Sequence, residues 1–295
     1  MKLTKRLKRR TIGDYVIPAI LIIWGFIVLF PFYSVVVISF TSQTEYIKNP
    51  LLLFPMEPTL DSYKRIFEDG RIASGYLNTL KILAMSLPLS LFLTISFAYG
   101  MSRKNFPGRR ILFYFVLVAM IFDGGIIPLY MLMKDLNLVP NNLWAVVLAN
   151  TISTFYMILM HNFFKALPDS LMESARMDGA GEWRILANIV LPLSAPVIAT
   201  ITLFYTVDRW NEWFHAMIFL QKGTLHPLQL VLRSIVIDTQ IQLMSSGGDT
   251  IELAQTNFAM GVKTAAIICT MLPVMLFFPF LQKHFVKGIM IGAIK

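Results

Sequence analysis

The chain has one cysteine, Cys269, among 295 residues, and charged side chains make up only 15% of it. A single thiol excludes an intrachain disulfide framework and any zinc site built from paired cysteines. Cys269 lies inside an apolar run and reads as buried filler. The shortage of charge, beside 56% hydrophobic residues, excludes an ordinary soluble enzyme, whose composition is nearer about 45–50% apolar and about 25% charged. Also missing are the G-x-x-x-x-G-K-[ST] phosphate loop and the H-E-x-x-H, G-x-S-x-G and C-x-x-C patterns. The chain is therefore not expected to hydrolyse ATP by the phosphate-loop route, to hold a metal, or to bind a cofactor of its own. Asp208, Glu212 and His215 are the one cluster an intramembrane enzyme could use, and their spacing matches no catalytic pattern. Acidic residues number 17 against 26 lysines and arginines, a net charge of +9. The basic residues flank apolar runs instead of forming a patch interleaved with aromatics, so no nucleic-acid partner is expected.

What the sequence does have is long apolar runs. About 20 apolar residues in a helix cross about 30 Å of hydrocarbon. Stretches of that kind place spans near 16–40, 78–101, 111–133, 143–164, 189–213 and 264–282. The first is far longer than the core of a cleavable signal and reads as a retained membrane helix. Six crossings put both termini on one side of a lipid membrane. That side carries 6 Lys and Arg before the first span, 4 in 102–110, 3 in 165–188 and 3 in the tail 283–295, and the opposite loops hold about half as many over a longer stretch. The positive-inside rule makes the richer side cytoplasmic. The expected organisation is a cytoplasmic segment 1–15 followed by one six-span, all-α membrane domain over 16–295, with a large outer loop at 214–263. Pro88, Pro128, Pro192, Pro196 and Pro273 fall in or beside spans, which suits a bundle with a pathway better than a plain anchor. Gly124 and Gly125, ahead of Pro128, mark either a break or re-entrant turn in the third run or simply its outer end.

The polar loop 165–188, KALPDSLMESARMDGAGEWRILAN, still has helical organisation. Pro168 suits a first turn, and Asp169 and Glu173 favour the positive N-terminal end. Leu171, Met172 and Ala175 form an apolar stripe. Asp178-Gly179-Ala180-Gly181 ends the helix, and a second begins near Glu182, giving a helix-turn-helix that offers a ridge to a cytosolic partner. Read by spacing alone, Glu173 could equally do no more than pair with Arg176 at i, i+3.

Glu173-Ser174-Ala175, Gly179, Ile189, Leu191 and Pro192 resemble the EAA loop of the permease subunits of type I ABC importers, E-A-A-x-x-x-G followed by nine residues and I-x-L-P. Every spacing holds, and Ser174 stands at the motif's second position, its first alanine. Further pieces resemble the carbohydrate-uptake branch: Asn78-Thr79-Leu80, Ala98-Tyr99 through Arg103, Phe106, Gly108 and Arg109, Pro128-Leu129-Tyr130, and Trp210-Asn211-Glu212-Trp213. Gly13-Asp14 and Asp123-Gly124-Gly125 resemble the subgroup that imports complex polysaccharide fragments, aldouronates among them. The resemblance implies a bacterial plasma-membrane permease subunit working with a second, homologous permease, two ATPase subunits that bind the ATP and Mg, and an extracellular solute-binding protein. It assigns Glu173, Ser174, Ala175, Asp178, Gly179 and Ala180 to the coupling contact with the ATPase. It also assigns Gly288, Gly292 and Ala293 to a tail that reaches the ATPase pair, and the tip Ser245–Asp249 to the loop facing the binding protein. Importers of peptides or amino acids share the EAA loop and form the alternative.

Sugars are held by aromatic faces and by amide and carboxylate groups. Trp210, Asn211, Glu212 and Trp213 carry that chemistry at the end of the fifth span, and an interfacial aromatic belt would look the same. Tyr205, Asn150, Tyr156 and Thr206 are polar groups inside spans that tend to face a cavity. His161 reads as a packing residue.

Overall fold

The computed structural model describes residues 13–50, 52–245 and 259–276. Its regular elements are helical: α1 (Gly13–Phe40), α2 (Gln43–Lys48), α3 (Asp61–Asp69), α4 (Arg71–Ser102), α5 (Arg109–Ile121), α6 (Ile126–Asp135), α7 (Leu143–Ala149), α8 (Thr154–Ala166) and α9 (Asp169–Met177). They continue with α10 (Glu182–Leu193), α11 (Ala195–Trp210), α12 (Phe214–Phe219), α13 (Leu228–Ser245) and α14 (Ala259–Leu276). Three single helices are long and apolar enough to cross a membrane, Tyr15–Phe40, Arg71–Ser102 and Ala259–Leu276. Three more spans form only as bent pairs: α5 with α6 at 113°, α7 with α8 at 53°, and α10 with α11 at 82°.

Each bend has a local cause. Between α5 and α6, Gly125 adopts φ +81° and ψ 167°, a region open essentially to glycine alone, and its N–H donates to Asp123 Oδ1 at 3.0 Å. Of the two readings open at Gly124-Gly125, the structure has the break. Pro192 and Pro196 bracket the bend at Ser194, since neither ring can donate to the preceding turn. A π-helical stretch at Leu186–Val190 precedes that bend. Pro88 and Pro273 lie inside continuous helices and break nothing. The α7–α8 break contains neither proline nor glycine; neighbouring side chains hold it.

The chain forms two compact units. In one, made of residues 1–68 and 236–269, α1 is apolar on every face and almost wholly exposed, with Trp24, Phe26 and Leu29 on its surface. A helix without a polar face belongs in lipid or against another apolar helix. Where its apolar run ends, the Thr41 hydroxyl donates to the Val37 carbonyl at 2.8 Å, and Ser39 meets the Tyr63 hydroxyl of α3 at 2.9 Å.

The other unit, residues 69–235 and 270–295, is built on α4, whose 32 residues extend about 48 Å. Asn78, Ile82, Ser86, Ser90, Thr94, Ala98 and Ser102 are all buried and recur every fourth residue. That row is one i±4 ridge, and its small side chains let α8 and α11 approach the α4 backbone closely. At one end of the ridge, Asn78 donates to the carbonyls of Thr224 and His226 at 2.8 and 3.2 Å. Beside it, Thr79 Oγ1 accepts the Leu228 N–H at 2.9 Å. The Asn-Thr pair thereby ties down the start of α13. Residues 214–245, expected as outer loop, are largely helical in α12 and α13.

Candidate functional site

The predicted helix-turn-helix is present. α9 runs from Asp169 to Met177 and α10 starts at Glu182. Gly179 has φ +79°, its N–H donates to the Arg176 carbonyl at 3.0 Å, and the Ala180 N–H reaches back to the Ala175 carbonyl at 2.9 Å. These are the two bonds of a Schellman cap, and both alanines pack on the core cluster, supplying the apolar contact that accompanies such a cap. The Ala175, Gly179 and Ala180 positions of the motif thus have a mechanical meaning: they turn the chain sharply while keeping the turn attached to the body. Met172 is buried on the same side, whereas Leu171, expected in the stripe, is exposed.

What the turn presents outward is Glu173, Ser174 and Asp178 together with two large apolar side chains, Met177 at 88% exposed and Trp183 at 72%. The local Glu173–Arg176 pair does not form. Arg176 instead donates to Glu182 Oε1, from Nε at 3.0 Å and from the terminal nitrogen at 2.8 Å. Glu173 makes no hydrogen bond or ion pair with any described residue. The end of α4 grips the turn from below. Tyr99 donates its hydroxyl to Glu182 Oε2 at 2.6 Å. The Arg103 guanidinium lies 4.8 Å over the Tyr99 ring and donates to Met172 Sδ and, at 3.4 Å, to the Phe164 carbonyl. Lys104 pairs with Asp169 at 2.6 Å; that hydrogen bond holds the Asp169 carboxyl below its ordinary value and the Lys104 ammonium above its own. Sequence reading missed Glu182, whose partner Tyr99 lies 83 residues away.

The second cluster surrounds the α7–α8 break. Three α11 residues within about one turn, Tyr205, Asp208 and Arg209, reach across to it. The Tyr205 hydroxyl accepts the Ser153 N–H at 3.0 Å and contacts Thr94 Oγ1 at 2.8 Å. Asp208 Oδ2 accepts from the Tyr156 hydroxyl at 2.8 Å. Arg209, 3% exposed, donates to the carbonyls of Val146, at 3.5 Å, and Asn150. A cation is thus placed on the carbonyls that the broken helix leaves unpaired, where the α7 dipole favours it. Arg209 also faces Glu212 at 3.7 Å, and Glu212 caps the start of α12 by accepting the His215 N–H at 3.0 Å. Sequence reading also missed Arg209, although a charge inside an apolar span is the kind of signal that marks a constraint or a pathway.

The remaining sequence candidates separate into two groups. Trp210 is buried, its Nε1 donating to the Thr270 carbonyl at 3.3 Å, with its ring edge-on to Tyr76. Tyr205 and Glu212 are buried in the network just described. Asn150, Asn211 and Trp213 are exposed; Asn211 contacts Gln229 at 3.4 Å, and the Arg233 guanidinium lies 4.6 Å over the Trp213 ring. Thr206 donates to the Thr202 carbonyl within its own helix at 2.7 Å. His161 is buried beside Phe113, as a packing residue would be. Gly288, Gly292, Ala293 and most of the Ser245–Asp249 tip lie outside the described residues.

Residues 67–291 match the family described as binding-protein-dependent transport system inner membrane component. The chain belongs to that family. Among its relatives, this permease is 38% identical to Protein LplC of Bacillus subtilis, over 92% of this chain and 90% of that one. It is 37% identical to the polygalacturonan/rhamnogalacturonan transport system permease protein YtcP of the same species, over 96% and 98%. It also resembles a chain of a crystal structure of a bacterial ABC transporter involved in the import of the acidic polysaccharide alginate, with TM-score 0.83 and 29% identity, covering 97% of this chain and 100% of that one. The type I importer permease fold expected from the EAA spacing is thereby established.

Proposed function

We propose that this permease forms half of the translocation pathway of an ATP-driven, binding-protein-dependent importer of oligosaccharides that carry uronate groups. One observation carries the coupling part. The α9–α10 turn is held rigidly by its cap and by α4, yet its outer face leaves Glu173 unpaired and Met177 and Trp183 bare. An exposed apolar ridge with a free carboxylate suits docking into a cleft of an ATPase subunit. In this reading Glu173, Ser174 and Asp178 face that subunit on the cytoplasmic side, and Ala175, Gly179 and Ala180 shape the turn that presents them. A second permease completes the pathway, an extracellular binding protein delivers solute, and the tail around Gly288, Gly292 and Ala293 reaches the ATPases.

The solute class is supported by two comparisons, the pectin-type relative and the alginate importer, whose named substrates are acidic polysaccharides. Peptide or amino-acid transport has no such support. Near the α11 end, Asn211 and Trp213 keep exposed polar and aromatic surface for a sugar, whereas Trp210 is committed to packing. The test reconstitutes the complete transporter in vesicles and measures uptake and ATP hydrolysis with uronate-bearing and neutral oligosaccharides. Preference for the uronate series is expected. Glu173→Lys combined with Gly179→Leu should leave membrane insertion intact and uncouple hydrolysis from uptake; wild-type uptake by that variant would refute the coupling assignment.

A further inference from the structure

We infer that Glu182 is the joint through which movement of the coupling turn is passed to α4. The inference rests on the coupling role proposed for the α9–α10 turn. The Glu182 carboxylate divides its two oxygens between different helices. Oε1 takes the two bonds from Arg176 of α9, and Oε2 takes the Tyr99 hydroxyl of α4. Glu182 itself begins α10, which runs through the Ser194 bend into α11. One side chain therefore ties together the docking helix, the helix that leads into the next span, and the longest helix of this unit.

The mechanical consequence follows from where Tyr99 stands. It sits next to Ala98 in the buried i±4 ridge, which continues through Thr94 and Ser90 toward the far end of α4. Thr94 in turn meets Tyr205 of α11, whose hydroxyl holds Ser153 at the α7–α8 break. A displacement of α9 that keeps the Glu182 bonds must pull the end of α4 with it, and α4 packs closely against the helices that carry the second cluster. A displacement that breaks them leaves α9 free to move alone. Packed helices respond as discrete arrangements because close-packed interiors do not deform continuously.

The surroundings permit such a movement. A cavity of about 570 Å³ lies directly beside the joint, lined by Tyr99, Arg103, Phe106, Arg176, Glu182 and Trp183 among others. Trp183 and Arg176 can shift into that space without opening the core cluster that Met172, Ile185 and Leu186 form with α4.

The experiment uses the whole transporter with its ATPases and binding protein in vesicles, and reads solute transported per ATP hydrolysed. Tyr99→Phe removes one hydroxyl and leaves the ring in place against Phe164; Glu182→Gln removes the charge and keeps the shape. Each is expected to lower transport per ATP roughly three- to tenfold, the effect of losing one charge-assisted hydrogen bond from a coupled pair. The complex should still co-purify, and the double variant should be no worse than the poorer single one, because both substitutions cut one link. Unchanged stoichiometry in both single variants would overturn the joint, as would losses that multiply in the double variant, or a loss confined to thermal stability. Parallel measurement of Glu173→Lys with Gly179→Leu separates the two levels. Uncoupling there with normal stoichiometry in Tyr99→Phe and Glu182→Gln refutes the joint and leaves the docking ridge standing. Normal stoichiometry in all of them removes the ridge as well.

Discussion

Removing either member of the Arg209–Glu212 pair should destabilise the protein unequally, and the structure says which loss is worse. Arg209 is 3% exposed and Glu212 is 7% exposed, so neither can be rehydrated in place when its partner is lost. In Glu212→Ala, the guanidinium keeps only the carbonyls of Val146 and Asn150. Arginine does not shed its proton under any ordinary condition. An uncompensated buried charge of that kind costs about 3–5 kcal/mol. In Arg209→Met, the carboxylate retains the His215 N–H at 3.0 Å and the His215 ring at 3.2 Å, and it can also take up a proton. That loss should cost about 1–3 kcal/mol, the price of leaving the buried Val146 carbonyl without a donor, since the Asn150 carbonyl belongs to an exposed residue and can be hydrated. The assay is thermal unfolding of the purified transporter in detergent, followed by intrinsic fluorescence. Glu212→Ala should melt several degrees below Arg209→Met, and Arg209→Met with Glu212→Ala should recover part of the deficit. A single Arg209→Met variant melting at or below Glu212→Ala would refute the reasoning.

Two further outcomes follow from the packing and the turn. Ser90 Oγ is buried with no hydrogen-bond partner. Ser90→Ala should therefore leave stability unchanged or raise it by up to about 1 kcal/mol, whereas Ser90→Leu should lose about 1–3 kcal/mol by forcing α4 away from its neighbours, both measurable by the same melting assay. At Gly179 a Cβ would meet nothing within 4 Å, so only the backbone conformation resists substitution. ATPase retention on the permease should fall in the order Gly, Asn, Ala, Val, because asparagine tolerates positive φ best and a β-branched residue least; equal loss for Asn and Val would mean that the glycine serves a close contact with the partner.

The sequence made some of this architecture readable and hid the rest for physical reasons. Breaks that depend on backbone chemistry carry a local signal: the Gly179 turn is read outright, Gly125 as one of two alternatives, and Pro192 and Pro196 as interruptions whose bend the sequence does not place. The Asn150-Thr151-Ile152-Ser153 break was not, since nothing in those residues forbids a helix. Its cause lies in Tyr205 and Arg209, more than 50 residues further on. The sequence marks the segment after Trp213 only as outer loop, and the helices α12 and α13 within it depend on packing, with Asn78 and Thr79 anchoring the start of α13. Arg176 illustrates the same limit at close range. Spacing offered it Glu173 one turn back, but the Schellman turn swings Glu182 into reach, and the longer loop contact forms instead.

A helix broken by proline stays broken, because the missing donor is part of the covalent chain. The α7–α8 break is of another kind. Residues 150–153 retain every backbone donor and acceptor an α-helix requires, and the bend of 53° persists because α11 supplies substitutes for the bonds not made. Its geometry is therefore conditional on its neighbour. Withdraw Tyr205 and Arg209, and the fourth span holds all it needs to become one straight rod, so the state of one span is written in the position of the next.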